Sequence, residues 1–256
     1  MSTDSVDDGA ERIAVGVRVR PLMKSRGAEE ATTIDKRKCE VICTNSLTQK
    51  EQRFPFSAVF QSEDNAALFA AVGEPLVDSA IRGYNGTILA YGQTGSGKTY
   101  TIGEISKLGT VHEGVAHRMV RYLFDEIKSD HANNTYEVHV QFVQIHVERI
   151  YDLLAEGDPH KGSAHELKLR EEVSHGVYVQ GAQREGVEDA DGMFELLKKA
   201  STRLAFASTN MNLHSSRSHA VCQLFVTKTP IRSATTPGTP GAAARGSMRN
   251  FGGGGG

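Results

Sequence analysis

The chain has 256 residues, a formal net charge of −2, 39% hydrophobic and 23% charged residues, and 26 glycines. That length supports one sizeable core, or two small ones, without help from disulfides or metals. A mean hydropathy of −0.36, with no apolar run near about eighteen residues, argues against a membrane-spanning helix. The polar, acidic opening Met1–Arg12 does not read as a secretory signal.

Three cysteines, Cys39, Cys43 and Cys222, form a sparse, odd set that suits a reducing compartment. Cys39 and Cys43 alone cannot complete a tetrahedral metal site and read as small apolar residues. The expected class is a soluble intracellular α/β or α+β protein. Charge is unevenly spread. After Glu195 no Asp or Glu occurs, so the last 61 residues carry +8 and the first 195 carry −10. Eight of the glycines lie between Gly238 and Gly256.

In chain order, a polar leader (1–11) precedes Ile13, Val15, Val17 and Val19, whose alternation predicts a strand closed by Pro21. A charged loop follows, then short strands near Glu40–Cys43 and Arg53–Phe60. Leu68, Val72, Leu76 and Ala80 recur at helical spacing over Ala66–Ile81, with Pro75 a possible interruption. Asn85-Gly86 turns the chain into Thr87–Tyr91, a short apolar run of the kind found in buried parallel strands. A glycine-rich loop and a helix near Ala116–Lys128 come next. Tyr136–Leu154 opens as a strand, and two more are expected at Leu167–Arg170 and Val177–Val179. Glu188–Leu204 reads as a helix, Ser208–His219 as a polar loop and Ala220–Thr227 as the last strand. Residues 229–256 hold Thr-Pro pairs, alanines, glycines and arginines, and are expected to be disordered for want of apolar surface.

Gly92-Gln93-Thr94-Gly95-Ser96-Gly97-Lys98-Thr99 matches G-x-x-x-x-G-K-[ST] at every fixed position. Glycines allow the backbone to curl so that successive N–H groups face phosphate oxygens. A helix starting near Lys98 would add unpaired amides and the positive end of its dipole. Lys98 supplies a charge for the β- and γ-phosphates, and the Thr99 hydroxyl can ligate Mg²⁺. Read in isolation, the segment could also be a Gly/Ser-rich surface turn. The apolar run before it and the helix-compatible sequence after it favour nucleotide binding.

The loop alone does not name a function. Gly83–Tyr91 running into Gly92–Thr99 and Tyr100-Thr101 closely resembles the kinesin motor domain. Arg18-Val19-Arg20-Pro21 is similar to that family's adenine-side R-x-R-P element. Thr209–His219 is similar to its switch I, N-x-x-S-S-R-S-H. The three elements follow the family's order, and the resemblance covers roughly Arg12 to Thr227.

It implies an α/β fold of the P-loop NTPase type, a central sheet with helices on both faces, over residues 12–228. It also implies binding of ATP with Mg²⁺, hydrolysis coupled to movement on microtubules, and a cytoplasmic, cytoskeletal location. By the same resemblance Arg18, Arg20, Pro21 and Tyr100 flank the adenine, and Gly92 through Thr99 hold the phosphates. Ser216 would join Thr99 at Mg²⁺, Asn212 and Ser215 would shape the closing loop, and Arg217 would pair with a switch II glutamate.

That family element, D-x-x-G-x-E, does not occur after His219. The resemblance therefore stops short of switch II and most of the microtubule-binding face. Three expectations follow: slow or absent hydrolysis, an Arg217 without its partner, and an apolar sheet edge left exposed. A non-motile nucleotide-binding fragment or pseudo-motor is the alternative. A kinase or GTPase with the same loop is a more remote one, since no N-K-x-D occurs. His117 stands where the family commonly has proline, Leu204 where it often has arginine (with Arg203 adjacent), and His146-Val147-Glu148 where it has Y-N-E. The scattered histidines read as solvated or structural, and the threonines at 229, 236 and 239 as parts of a flexible spacer or as phosphorylation sites. The tail's arginines could touch a polyanion non-specifically. No nucleic-acid, membrane or coiled-coil signature is present.

Overall fold

The computed structural model describes residues 13–21, 31–61, 65–157, 166–173, 176–210 and 218–231. The first strands are β1 (Gly16–Val19), β2 (Thr32–Asp35), β3 (Glu40–Thr44), β4 (Glu51–Pro55) and β5 (Ala58–Gln61). A helical stretch runs from α1 (Asn65–Leu68) through a π turn (Phe69–Gly73) into α2 (Glu74–Ile81). Then come α3 (Lys98–Ile102), a 3-10 turn (Ile105–Lys107) and α4 (Val115–Asp130). The remainder is β6 (Asn134–His146), β7 (Arg149–Asp152), β8 (Glu166–Glu172), β9 (Gly176–Gln180), β10 (Glu185–Val187), α5 (Ala190–Asn210) and β11 (Ser218–Pro230).

β6 is the spine of the main sheet. β11 pairs antiparallel with it over its whole length, from Ser218 opposite His146 to Pro230 opposite Asn134. Its other edge carries β10 opposite 138–140 and β7 opposite 143–146, and β8 and β9 continue outward from β7. The strand alternation puts Val138, Val140 and Phe142 on one face. Against them pack Val120, Leu123, Phe124 and Ile127 of α4, Val77 of α2, and Met193, Phe194 and Ala200 of α5, together with Leu153 and Leu154. The i, i+3, i+4, i+7 spacing on α4 makes that stripe, and each such large side chain stabilises by about 1.5–3 kcal/mol when buried.

The seam is tied at one end by Asp130, at the foot of α4. Its carboxylate accepts from Asn134 Nδ2 at 2.8 Å and Tyr136 Oη at 2.5 Å, and Lys228 Nζ of β11 lies 2.8 Å away. At the other end of β6, Val147 (φ 48°) and Glu148 (φ 62°) make the two-residue turn into β7.

Most of the helices lie where periodicity predicts them. The interruption foreseen at Pro75 takes the form of the π turn just before it. Proline lacks an N–H and crowds the carbonyl four residues back, and a widened turn accommodates both. Several strand assignments differ. β2 and β10 are too short for alternation to register, β1 starts three residues later than Ile13, and the expected strand Arg53–Phe60 is split into β4 and β5. α5 continues past Leu204 to Asn210, and β11 continues past Thr227 to Pro230.

The largest departure is Thr87–Tyr91, which is not a buried parallel strand. It forms no strand and has no ladder partner among the described residues, and Leu89 and Tyr91 are 82% and 94% exposed. Among the described residues, parallel pairing occurs only between β1 and β5, and the other pairs are antiparallel. A strand needs neighbours from distant sequence, and neither β1 nor β11 reaches this run. β11 is mostly exposed as well, so apolar surface such as Val221 and Leu224 lies open at the sheet edge. Among the described residues no helix is long and apolar enough to cross a membrane.

Candidate nucleotide-binding site

The loop 92–97 turns back on itself through left-handed backbone, with Gly95 at φ 82° and Gly97 at φ 103°. Gly97 leads directly into α3, so a side chain there would be strained at the point where the loop becomes helix. α3 is only five residues long, a single turn and a half. Its dipole contribution is therefore small, and the lysine and the loop backbone carry more of any phosphate site than a long helix would require.

Lys98 folds back over the loop. Its Nζ donates to the carbonyl of Gly92 at 2.8 Å and to that of Gln93 at 3.0 Å. Ser96 N donates to Gln93 O at 3.1 Å, which tightens the turn. Thr94 and Thr99 are exposed, and Thr99 stands on the first turn of α3, where its hydroxyl is open to a ligand.

β1 and α3 converge beside this loop. Arg18 Nη1 donates to Thr101 Oγ1 at 2.9 Å and to Asn65 Oδ1 at 2.7 Å, and its guanidinium carbon lies 4.6 Å from the centre of the Tyr100 ring. Arg20 Nη1 donates to the carbonyl of Gly95 at the loop apex. Pro21 follows at the exposed end of this segment. So the structure brings Arg18, Arg20, Tyr100 and the loop Gly92–Thr99 together, as the motifs imply. Of the switch I residues, Asn212, Ser215, Ser216 and Arg217 lie outside the described residues. The chain resumes at Ser218, paired opposite His146.

Sequence reasoning missed three members of the cluster. Thr101 carries the signal of helical spacing from Lys98. Asn65, only 1% exposed, donates through Nδ2 to His112 O at 3.0 Å. His112 Nδ1 is hydrogen-bonded to Tyr100 Oη at 3.0 Å. Nothing local marks the last two, since both are recruited from other segments. Behind the site, His117 is 3% exposed and edge-on to Phe194, with ring centres 5.8 Å apart. Burial pushes its imidazole below the ordinary histidine value, Glu113 opposes that shift and Arg121 adds to it. Gly114 starts α4 against the backbone of Ile102 and Gly103, leaving no room for a Cβ there. Arg203, weighed as a stand-in at position 204, donates instead to the carbonyls of Leu153 and Ala155. Among the described residues no group of three His, Cys, Asp or Glu could hold a metal ion.

Residues 18–247 match the family model for the kinesin motor domain. The chain belongs to the kinesin motor-domain family. It is 41% identical to kinesin-like protein 3 of Schizosaccharomyces pombe over 72% of this chain and 32% of that protein. Against kinesin-like protein klp-20 of Caenorhabditis elegans it is 35% identical over 84% of this chain and 33% of the relative. A solved structure described as a fast kinesin superposes with a TM-score of 0.76 at 34% identity, covering 84% of this chain and 60% of that one. The chain spans about a third of the length of each of the two kinesin-like relatives above.

The kinesin match bears out the family read from the three motifs, and the structural match bears out the α/β class.

Proposed function

We propose that this chain is the ATP-binding portion of a kinesin-like motor, whose complete cycle couples ATP hydrolysis to movement on microtubules. The observation that carries the reading is Lys98, whose Nζ sits over the Gly92 and Gln93 carbonyls with Arg20 fastened to the loop apex. Gly92, Gln93, Thr94, Gly95, Ser96, Gly97 and Lys98 would hold the phosphates. Arg18, Pro21 and Tyr100 would flank the adenine, where a proline and an aromatic ring pack on a base face. Thr99 and Ser216 would hold Mg²⁺ through their hydroxyls, which suits a hard cation carried by phosphate oxygens. When bound, Mg²⁺ neutralises charge between the phosphates. Asn212, Ser215 and Arg217 would close over the γ-phosphate.

Tubulin is the proposed partner and the cytoplasmic cytoskeleton the proposed location, both on family grounds. No nucleic-acid or membrane partner is proposed. Positioning and charge stabilisation are nearly the whole of phosphoryl-transfer catalysis. Within these 256 residues no carboxylate follows Glu195 to meet Arg217. The polypeptide 1–256 is therefore proposed to bind Mg·ATP without microtubule-stimulated turnover, as a nucleotide-binding fragment would.

Titration calorimetry with Mg·ATP and a phosphate-release assay with and without microtubules test both halves. Binding that depends on Lys98, with no stimulated release, is expected. Absence of ATP binding overturns the reading, and brisk stimulated release overturns the fragment behaviour.

A further inference from the structure

Four segments close a circuit beside the loop. Arg18 of β1 donates to the buried Asn65 of α1, and Asn65 donates in turn to the backbone of His112. His112 is bonded through its ring to Tyr100 Oη, and the Tyr100 ring lies under the Arg18 guanidinium. Tyr100 is only half-buried and sits in the five-residue α3, so packing alone does little to hold its ring. The ring is held by the hydrogen bond at its far end and by the Arg18 guanidinium over its face. Asn65 uses both ends of its amide to hold the His112 backbone in register with Arg18. The same bond therefore fixes the ring relative to β1.

We propose that His112 is a positioning residue for base recognition, fixing the Tyr100 ring against Arg18 as a preformed wall for a purine base. The proposal rests on reading the site as one for ATP. A base that stacks on an ordered ring does not have to order it first, so His112 strengthens ATP binding without touching the nucleotide. It contributes nothing to a ligand that has phosphates and no base. No motif in the chain marks position 112. Its role comes from geometry alone.

The test is calorimetry with Mg·ATP and with inorganic tripolyphosphate on the 256-residue chain and its variants. His112→Ala is expected to weaken ATP about fivefold, the value of one lost neutral hydrogen bond, while tripolyphosphate affinity stays within about twofold. His112→Gln, which keeps a hydrogen-bonding group, is expected to recover much of the loss. Tyr100→Phe is expected to reproduce it, and adding His112→Ala to Tyr100→Phe to weaken ATP no further. Tyr100→Phe and His112→Gln carry the test if His112→Ala fails to fold. An unchanged ratio of ATP to tripolyphosphate affinity in His112→Ala, or additive losses in the double variant, overturns the inference and leaves the ATP reading intact. A wild-type chain that binds tripolyphosphate and ATP equally, or neither, removes the base-recognition reading and this inference with it.

Discussion

Lys98 Nζ lies 2.8 Å from the carbonyl oxygen of Gly92, so the cation meant for phosphate is held by the loop's own backbone. A triphosphate that takes this cation must displace two neutral acceptors with charged ones, an exchange that favours the ligand because it adds ion-pair attraction to bonds the ammonium already charge-assists.

Lys98→Ala is expected to weaken Mg·ATP binding on the order of a hundredfold, from a charge-assisted contact of about 1.5–3 kcal/mol. The melting temperature without nucleotide should hardly move. In the wild-type chain, ATP at about a hundred times its Kd should raise that temperature by about 5 °C, and the alanine variant should respond by only about 1 °C at the same concentration. Thermal melts with and without nucleotide check both.

Val147 is a β-branched residue at φ 48°, 60% exposed, in a turn whose next residue is also left-handed. Two-residue turns of this shape favour Asn-Gly. Val147→Asn is expected to stabilise by about 1 kcal/mol, by relieving a left-handed cost of about 1–2 kcal/mol with little packing lost. Urea unfolding should show a higher midpoint at unchanged slope. An unchanged or lower midpoint would show that the turn is not strained.

His117 of α4 is buried against Phe194 of α5, and its pKa is lowered, first by burial. The unfolded chain, with a histidine near about 6.5, takes up the proton before the folded one. Stability attached to the neutral ring is therefore fully present above about pH 6.5 and falls as pH drops through the folded pKa. His117→Leu, similar in size and unable to titrate, is expected to flatten that part of the stability profile. Unfolding midpoints from pH 8 down to pH 5 for both chains provide the measurement.

Asp130 works in the opposite sense. Lys228 first, then Tyr136, Asn133 and Asn134, hold its carboxyl well below the usual carboxylate range. Its stabilisation of the seam between β6 and β11 is present above the unfolded value near about 3.9 and is lost as pH falls through the folded one. Asp130→Asn should lower the melting temperature at pH 7 and shrink the difference between pH 7 and pH 3. Hydrogen exchange at the Lys228 end of β11 should quicken in the variant.

How far the chain could be read without coordinates depends on the range over which each signal acts. The loop Gly92–Thr99, the R-x-R-P segment and the helices α4 and α5 were legible because their determinants lie within a few residues, as turn glycines, a fixed lysine or a periodic apolar face. The family followed from them. The state of Thr87–Tyr91 was not legible: its apolar composition asks for sheet neighbours, and only the assembled chain decides whether any arrive. The splitting of one expected strand into β4 and β5 and the length of β11 were set in the same way, by partners far along the chain. So was the company kept by Tyr100. Asn65 and His112 stand 35 residues before and 12 after it, and nothing near either of them indicates Arg18 or the loop. The acid-free stretch after Glu195, by contrast, is a property of the sequence alone and already states that no acidic side chain follows Arg217 in these residues. Residue types and local spacing determined the chemistry on offer. Tertiary structure decided which side chains share it, because hydrogen bonds and packing act over a few ångströms whatever the distance along the chain.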